Sequence, residues 1–97
     1  MVRPGVYILQ SIKTRRYYIG STNNILRRIQ EYNRGAVKAT RFLTPMELKV
    51  FIERTTIAEA RQAEYALKQY KNRAIIEKVV ASAILPWEYK DQLHTGP

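Results

Sequence analysis

The residues that could do chemistry in this 97-residue chain are tyrosines, arginines and glutamates. There is no cysteine, the only histidine is His94 and the only aspartate is Asp91. This composition argues against thiolate or histidine–metal centres and against Ser-His-Asp triads. An enzyme built from these residues would have to use Tyr, Arg, Lys, Ser or Thr and a few of its seven glutamates.

The stretch GVYILQSIKTRRYYIG, residues 5–20, places Tyr7 and Tyr18 in two short apolar runs. Gly5 and Gly20 stand beside these tyrosines, and such glycines let a substrate or a backbone come close. Because both runs have the composition of strands, the simplest interpretation is a hairpin. The connector carries three cations, Lys13, Arg15 and Arg16.

Helical phase separates two neighbouring arginines in the segment that follows. Ile25, Ile29 and Tyr32 form one stripe, and Arg28 lies beside this stripe. We expect Arg28 to point toward the sheet, either as a functional cation or as an apolar stem that reaches solvent. Arg27 should point outward and pair with Glu31 at i+4.

A later helix raises a sharper question about Glu64. Its buried stripe is predicted to comprise Ala60, Ala63, Leu67 and Tyr70, and Glu64 falls close to that stripe. A carboxylate there is costly unless it is paired or metal-bound. The structural explanation is a salt bridge to Lys68 or Arg61, whereas the functional explanation is a divalent-metal ligand.

Two tyrosines, one arginine and one glutamate could together form a phosphodiesterase site. Arginine matches the geometry of a phosphate and stays charged. A glutamate can hold one hard cation such as Mg²⁺. A tyrosine near a cation could lose its proton and act as a base.

These side chains need a scaffold, and the sequence predicts an α+β domain in the order β-β-α-β-α-α. Strands are expected at about 5–10 and 16–21, followed by a helix capped by Thr22 or Asn23 and ended near Gly35. Residues 36–46 favour a basic loop. The segment 46–53 alternates as a strand with one apolar face, formed by Met46, Leu48, Val50 and Ile52.

Two further helices complete the prediction. Thr56 and Glu59 form a capping box for a helix over 57–71, and a helix over 73–85 is ended by Pro86. The helices would pack on three antiparallel or mixed strands. Residues 1–85 should form the domain and residues 86–97 a tail. The apolar segment 75–85 is better explained as a core helix than as a dimer face.

The composition points to a polyanionic partner. The net charge is +9 and the sequence pI about 10.1, so nucleic acid is the first candidate and an anionic membrane the second. No apolar run is long enough to span a bilayer, and the N-terminus lacks the apolar core of a signal peptide. We therefore expect no membrane association and a cytoplasmic location.

Five segments in this order resemble the GIY-YIG nuclease family: GVY at 5–7, YIGST at 18–22, NILRRIQEYNRG at 24–35, a Thr44-Pro45 loop before LKVF, and ARQAEYALKQ at 60–69. The resemblance covers roughly residues 4–80. It implies a three-stranded antiparallel sheet flanked by helices, and cleavage of phosphodiester bonds with one divalent ion.

The resemblance also implies roles for individual residues. Tyr7 and Tyr18 match the two motif tyrosines, Gly20 the motif glycine, Arg28 the family arginine and Glu64 the metal ligand. Tyr32 stands where many members have histidine, and the excision-repair branch is similar to this chain there. We then expect Tyr7 or Tyr18 to take the proton of water, Glu64 to hold Mg²⁺ or Mn²⁺, and Arg28 to bind the phosphate. Cations expected on the nucleic acid are Lys13, Arg15, Arg16, Lys38, Arg41 and Lys68.

The expected substrate is DNA, with RNA not excluded, and the expected state is a monomer or a weak dimer. No sequence-reading module is recognisable, so a protein partner could supply specificity. One alternative is a non-catalytic nucleic-acid-binding module of the same fold, and another is a scaffold that binds an acidic protein. The complete Tyr-Tyr-Arg-Glu set favours the enzyme.

Overall fold

The computed structural model describes residues 2–88, which form a three-stranded antiparallel sheet with helices on both faces. The elements are β1 (Gly5–Ser11), β2 (Tyr17–Thr22), α1 (Ile25–Asn33), a 3₁₀ turn (Arg41–Leu43), β3 (Met46–Glu53), α2 (Ile57–Tyr70) and α3 (Arg73–Ser82). Strand β1 lies between β2 and β3, so β2 has one free edge. The predicted fold class and element order are confirmed.

The two faces of the sheet hold separate cores. Val6 and Ile8 of β1 pack with β3, α2 and α3, whereas Tyr7 and Leu9 pack with Tyr32 of α1. This division follows from the period of two in a strand, which sends neighbouring side chains to opposite faces. All four of these β1 residues are at most 1% exposed.

Strand β3 differs from the predicted single apolar face. The register with β1 shifts where Ile8 pairs with Val50 and Leu9 pairs with Leu48. This bulge changes which side chains share a face. Met46 therefore packs on the α1 side, Val50 and Ile52 pack on the α2 side, and Leu48 is left 37% exposed.

The helix ends follow local capping more closely than the predicted boundaries do. Asn24, and not Thr22 or Asn23, caps α1 by accepting a hydrogen bond from the backbone N–H of Arg27 at 3.1 Å. Thr22 Oγ1 instead accepts from the Asn24 N–H. The capping box of α2 is present, because Thr56 Oγ1 accepts from the Glu59 N–H and the Glu59 carboxylate accepts from the Thr55 N–H.

Helix α3 ends at Ser82, before the predicted residue 85, because Ala83 adopts a left-handed conformation. Its segment is a core element, since Ile76, Val79 and Leu85 are buried. The Arg54 guanidinium meets the Glu88 carboxylate with two hydrogen bonds, 3.1 and 3.3 Å long. The first residues of the predicted tail therefore contact the domain, and the rest of the tail lies outside the described residues.

No helix within residues 2–88 has the length and apolar character needed to cross a bilayer.

Candidate active site

Tyr7 is buried at the centre of the α1 side of the sheet. Its ring lies across Gly20, the residue opposite it on β2, and a Cβ atom on Gly20 would overlap the Tyr7 hydroxyl. The hydroxyls of Tyr7 and Tyr32 share a hydrogen bond of 3.1 Å, and the two rings meet edge to face. The site thus contains a fixed pair of tyrosines from β1 and α1.

Both motif glycines make room for aromatic side chains. Gly20 accommodates Tyr7, and a Cβ on Gly5 would overlap the ring of Phe51 on β3. The predicted close approach of a backbone is present at Gly5, where a Cβ would also overlap the Ile52 carbonyl oxygen, and the approach of a substrate stays a prediction. Glycine is needed at both positions because an aromatic ring packs directly against the backbone there, where a Cβ atom would overlap it.

Arg28 extends from α1 to the tyrosine pair. Its Nε donates to the Tyr7 hydroxyl at 3.2 Å, its Nη1 donates to the Glu31 carboxylate at 3.1 Å, and its guanidinium lies 5.0 Å from the centre of the Tyr32 ring. Within the described residues, Nη2 makes no hydrogen bond, and 36% of the side chain is exposed. Arg28 is therefore held on one side and open on the other.

The predicted partner of Glu31 was wrong. Glu31 pairs with Arg28 at i+3 and not with Arg27 at i+4, because the Arg28 guanidinium is already fixed beside it by Tyr7. Arg27 is exposed, as its helical phase predicts.

The electrostatics of this cluster set the charge of Tyr7 and of Arg28. Burial, reinforced by the hydrogen bond to Tyr32, raises the pKa of Tyr7 well above its ordinary value, and Arg28 only partly opposes this rise. The hydrogen bond to Tyr7 also raises the pKa of Arg28, while partial burial opposes that rise. Near neutral pH the cluster therefore holds a neutral Tyr7 and a charged Arg28.

Glu64 lies on the other side of β2, in α2. Its Oε1 accepts a hydrogen bond from Ser21 Oγ at 2.5 Å, and its Oε2 lies 2.6 Å from the Lys68 ammonium. The side chain is 23% exposed. The salt bridge to Lys68 weighed in the sequence therefore exists, and Lys68 is engaged with Glu64 where we expected it to contact nucleic acid.

Ser21 is the residue of this site that sequence analysis missed. Ser21 pairs with Val6, whose side chain lies in the core beneath α2, so the serine points to the same side. The available signal was a polar residue on the apolar face of β2, after Tyr17 and Ile19.

Two open grooves lie along β2. They connect the group around Arg28 and Tyr7 with the group around Glu64, Ser21 and Lys68. One, about 410 Å³, is lined by Ser21, Arg27, Arg28, Glu31 and Arg61, among others, and is called here the Arg28 groove. The second, about 330 Å³, includes Tyr18, Lys68 and Lys71 and is called the Tyr18 groove. Because Ser21 lines the first and Lys68 lines the second, the Glu64 carboxylate is hydrogen-bonded to a residue of each.

A larger groove of about 720 Å³ lies elsewhere, between Arg3, Arg54 and Glu59. None of the predicted site residues lines it. The free edge of β2 is therefore the better candidate site, despite its smaller volume.

The donors around Glu64 fit a single hard cation. Carboxylate and hydroxyl oxygens are the ligands that Mg²⁺ prefers, and Mg²⁺ commonly completes its shell with water and phosphate oxygens. The Lys68 ammonium already provides a positive charge next to Oε2. Within residues 2–88, no group of three or more His, Cys, Asp or Glu side chains could hold a metal ion, so Glu64 would act as the one acidic ligand.

The remaining predicted DNA contacts are exposed and lie at the end of the sheet where β1 turns into β2. Lys13, Arg15 and Arg16 are in that turn, and Lys38 and Arg41 follow α1. The turn and the later segment are joined by a hydrogen bond of 3.1 Å from the Ile12 N–H to the Pro45 carbonyl. Two cations that sequence analysis did not assign to the site, Arg61 and Lys71, line the grooves.

Comparison with known families gives one match. The model of the GIY-YIG catalytic domain matches residues 3–78, a range that contains every predicted site residue. Neither the curated proteins nor the solved structures give a significant match.

Proposed function

The chain belongs to the GIY-YIG catalytic domain family, a family of nucleases, and we propose that it is an endonuclease that hydrolyses phosphodiester bonds in DNA with one Mg²⁺ or Mn²⁺ ion per site. One observation carries this proposal: Arg28 is anchored by Tyr7 and Glu31 yet keeps an open face in the groove that Ser21 shares, beside the Glu64 cluster.

Arg28 would bind the phosphate and stabilise the charge that develops on it. A guanidinium that is already oriented needs little reorganisation when that charge forms, which is how preorganised donors accelerate reactions. Tyr7 holds Nε and Glu31 holds Nη1, so Nη2 and the outer edge face the substrate. Tyr7 and Tyr32 would therefore act as positioning residues.

Tyr18 is a better candidate than Tyr7 to take the proton of the attacking water. Tyr7 is 1% exposed and its raised pKa opposes loss of its proton, so it is a poor base. Tyr18 is half-buried, packs against the Tyr7 cluster and also lines an open groove, so water and substrate can reach it. We assign the base to Tyr18, which would act as its phenolate.

Glu64 and Ser21 would hold the divalent ion at the β2 edge. The bound ion would supply Lewis-acid stabilisation of a phosphate or leaving-group oxygen. The chain's own contribution is to orient the carboxylate: Ser21 fixes Oε1, whereas Lys68 is half exposed and can leave Oε2. An exposed ion pair of this kind is worth only about 0–1 kcal/mol, so the ammonium is readily displaced.

The proposal also covers the substrate, the cellular location, the oligomeric state and the biological role of the protein. The +9 charge suits a polyanionic partner, the family match favours nucleic acid over an acidic protein, and RNA cleavage is an outcome that the experiment below distinguishes. We place the protein in the cytoplasm, as a monomer or a weak dimer, in DNA repair, recombination or mobile-element processing, with a protein partner as a source of specificity.

A non-catalytic DNA-binding module is the second candidate, and the Lys68–Glu64 salt bridge favours it. In that case Lys68 would keep the carboxylate permanently neutralised. Such a module would bind DNA in the presence and in the absence of divalent ions but would never cleave it.

The test is cleavage by the purified protein of a labelled DNA panel that covers duplex, branched and single-stranded forms, with a matched RNA panel. We expect Mg²⁺- or Mn²⁺-dependent cleavage of DNA that chelation by EDTA abolishes. Salt-sensitive binding without cleavage under any metal condition would select the non-catalytic module, and cleavage of RNA alone would reassign the substrate.

A further inference from the structure

Phe42 is the most exposed large apolar side chain among the described residues, with 74% of its surface accessible. The Arg41 guanidinium lies 4.8 Å from the centre of its ring. A phenylalanine this exposed gains little from burial on folding, and much of its ring surface stays accessible to a ligand.

The backbone around Phe42 is held firmly enough to fix this outward position. Ser11 Oγ donates to the Leu43 carbonyl at 2.7 Å, and the Leu43 N–H donates to the Thr40 carbonyl at 2.8 Å. Thr40 is buried and Leu43 packs against the α1-side core. Phe42 lies between these two anchored residues and is directed away from the core.

The part of the chain that carries Phe42 is strongly cationic, and Glu47, at the same end of the sheet, is paired with Lys49. Residues 1–46 contain nine Lys or Arg and one Glu, whereas residues 47–97 contain eight Lys or Arg and seven acidic residues. That single carboxylate, Glu31, is paired with Arg28. The part of the chain that carries Phe42 therefore holds almost all of the excess charge.

One cation near Phe42 occupies a costly backbone conformation. Arg15 has φ of 65°, a left-handed value that favours glycine or asparagine. Gln10 Nε2 donates to the Arg15 carbonyl, and the Arg15 N–H donates to the Ser11 carbonyl, so buried residues hold the turn. The turn therefore holds the exposed Arg15 at a fixed position.

We propose that Phe42 and its neighbouring cations Lys13, Arg15, Lys38 and Arg41, named here the Phe42 platform, bind an unpaired base of the DNA substrate. An exposed aromatic ring among cations is the arrangement with which proteins stack bases of single-stranded nucleic acid while contacting its phosphates. Bases in a duplex are stacked on each other and do not offer their faces. The preferred substrate is therefore DNA with unpaired nucleotides next to a duplex.

The sheet sets the distance between the Phe42 platform and the site of cleavage. Ser21, beside Glu64, lies five residues after Arg16 at the end of the turn, and five residues of extended chain span about 17 Å at ~3.3 Å per residue. This length corresponds to about five nucleotides at ~3.4 Å per nucleotide. We expect cleavage within roughly that distance of the unpaired base.

The test measures binding without metal, so that it does not depend on cleavage. The probe is a duplex with a short single-stranded extension that carries 2-aminopurine, compared with the same sequence fully paired, both in EDTA. Stacking of a base on an aromatic side chain adds to binding and changes the fluorescence of the stacked base. The wild-type protein should therefore prefer the extended probe by about tenfold and quench the 2-aminopurine fluorescence.

Variants of Phe42 distinguish base stacking on an aromatic ring from a general apolar contact. Phe42→Leu keeps an apolar side chain without an aromatic face and should lose both the preference and the quenching, whereas Phe42→Trp should keep them. Tyr65→Leu is the matched control, because Tyr65 is 70% exposed but lies on α2, and it should behave as wild type.

Three outcomes would overturn the inference: an unchanged preference in Phe42→Leu, an equal loss in Tyr65→Leu, or Phe42-dependent self-association in sedimentation without any preference among DNA probes. Absence of binding to every probe at low salt would overturn it as well. The inference rests on the proposed action on DNA, yet the Phe42 platform and the nuclease activity can each be refuted without the other. Discrimination without any cleavage refutes the nuclease alone, and cleavage without discrimination refutes the platform alone.

Discussion

On the α2 side of the sheet β1 presents aliphatic side chains to the core, whereas on the α1 side the same strand also presents a tyrosine hydroxyl. Val6 and Ile8 pack with Leu67 and Val79 on the first side. Tyr7 packs with Tyr32 on the second side, and Arg28 joins them by a hydrogen bond. Neighbouring residues of β1 thus have different roles, because they lie on opposite faces of the sheet.

This comparison teaches that stability and chemistry can be separated within one strand. Ile8 contributes burial alone, whereas Tyr7 contributes burial and also orients a charged group. Substitutions one residue apart should therefore change different measurements. The four predictions that follow test this separation.

The largest effect on stability is expected from Ile8→Ala. Ile8 is fully buried, and removal of such a side chain leaves a cavity that costs about 2–5 kcal/mol of the free energy of unfolding. The comparison is Tyr7→Phe, which keeps the ring and should cost only about 1–2 kcal/mol for the lost hydrogen bonds. Urea denaturation measures both, and single-turnover cleavage at low temperature should be impaired in Tyr7→Phe alone. A loss of cleavage rate in folded Ile8→Ala would contradict this separation of stability from chemistry.

A large effect on chemistry is expected from Arg28→Ala. Loss of a preorganised donor to the phosphate should reduce the single-turnover rate by about 10²–10³. Arg27→Ala removes the same charge one residue earlier, in the same groove, and should weaken DNA binding slightly while it leaves the rate nearly intact. Equal rate losses in both variants would show that charge in the groove matters and that the anchoring by Tyr7 does not.

The pH dependence of stability tests the buried hydroxyl. Because the pKa of Tyr7 is raised in the folded state, its contribution is fully present below the unfolded value of 10.0 and decreases as the pH rises above that value. Above about pH 10, the wild type should lose stability faster than Tyr7→Phe, by up to ~1.4 kcal/mol per pH unit. Urea denaturation at about pH 9 and about pH 11 measures this difference, and parallel losses in the two proteins would contradict it.

The smallest effect is expected from Lys71→Gly, which extends the comparison to the α2 side of the sheet. Lys71 ends α2 with φ of 49°, where glycine is less strained, and it lines the Tyr18 groove. The variant should gain about 1 kcal/mol of stability but bind DNA more weakly, with a salt slope lower by about 1. Ala83→Gly is the control, because Ala83 has φ of 58° without a charge, and it should gain stability with unchanged affinity. Unchanged affinity in Lys71→Gly would remove Lys71 from the DNA surface.

Much of the fold could be predicted from the sequence because local signals agreed with one another. The capping box at Thr56, the apolar stripe of α1 and the alternation in the strands each specify an element without reference to its neighbours. The β3 bulge could not be predicted, since it depends on the pairing with β1. Tyr70 is 39% exposed and not buried as predicted, because it is the last residue of α2 and no further turn continues the stripe.

The types of the candidate site residues were accessible from the sequence, but most of their contacts were not. Helical phase distinguished Arg28 from Arg27, and the cost of a carboxylate near an apolar stripe drew attention to Glu64. Ser21 was missed because its partner lies 43 residues away. The partner of Glu31 was wrong because the tyrosine that fixes Arg28 belongs to another element.

The most direct test of the proposed metal-dependent cleavage is Glu64→Gln, with Lys68→Ala as its control. Both variants break the salt bridge between these residues, but only the first removes the proposed metal ligand. Thermal melting, DNA affinity and single-turnover cleavage at limiting Mg²⁺ are measured on the same preparations. The account predicts that Glu64→Gln folds and binds DNA without Mg²⁺-dependent cleavage, while Lys68→Ala still cleaves. Cleavage by Glu64→Gln at the wild-type rate would contradict it.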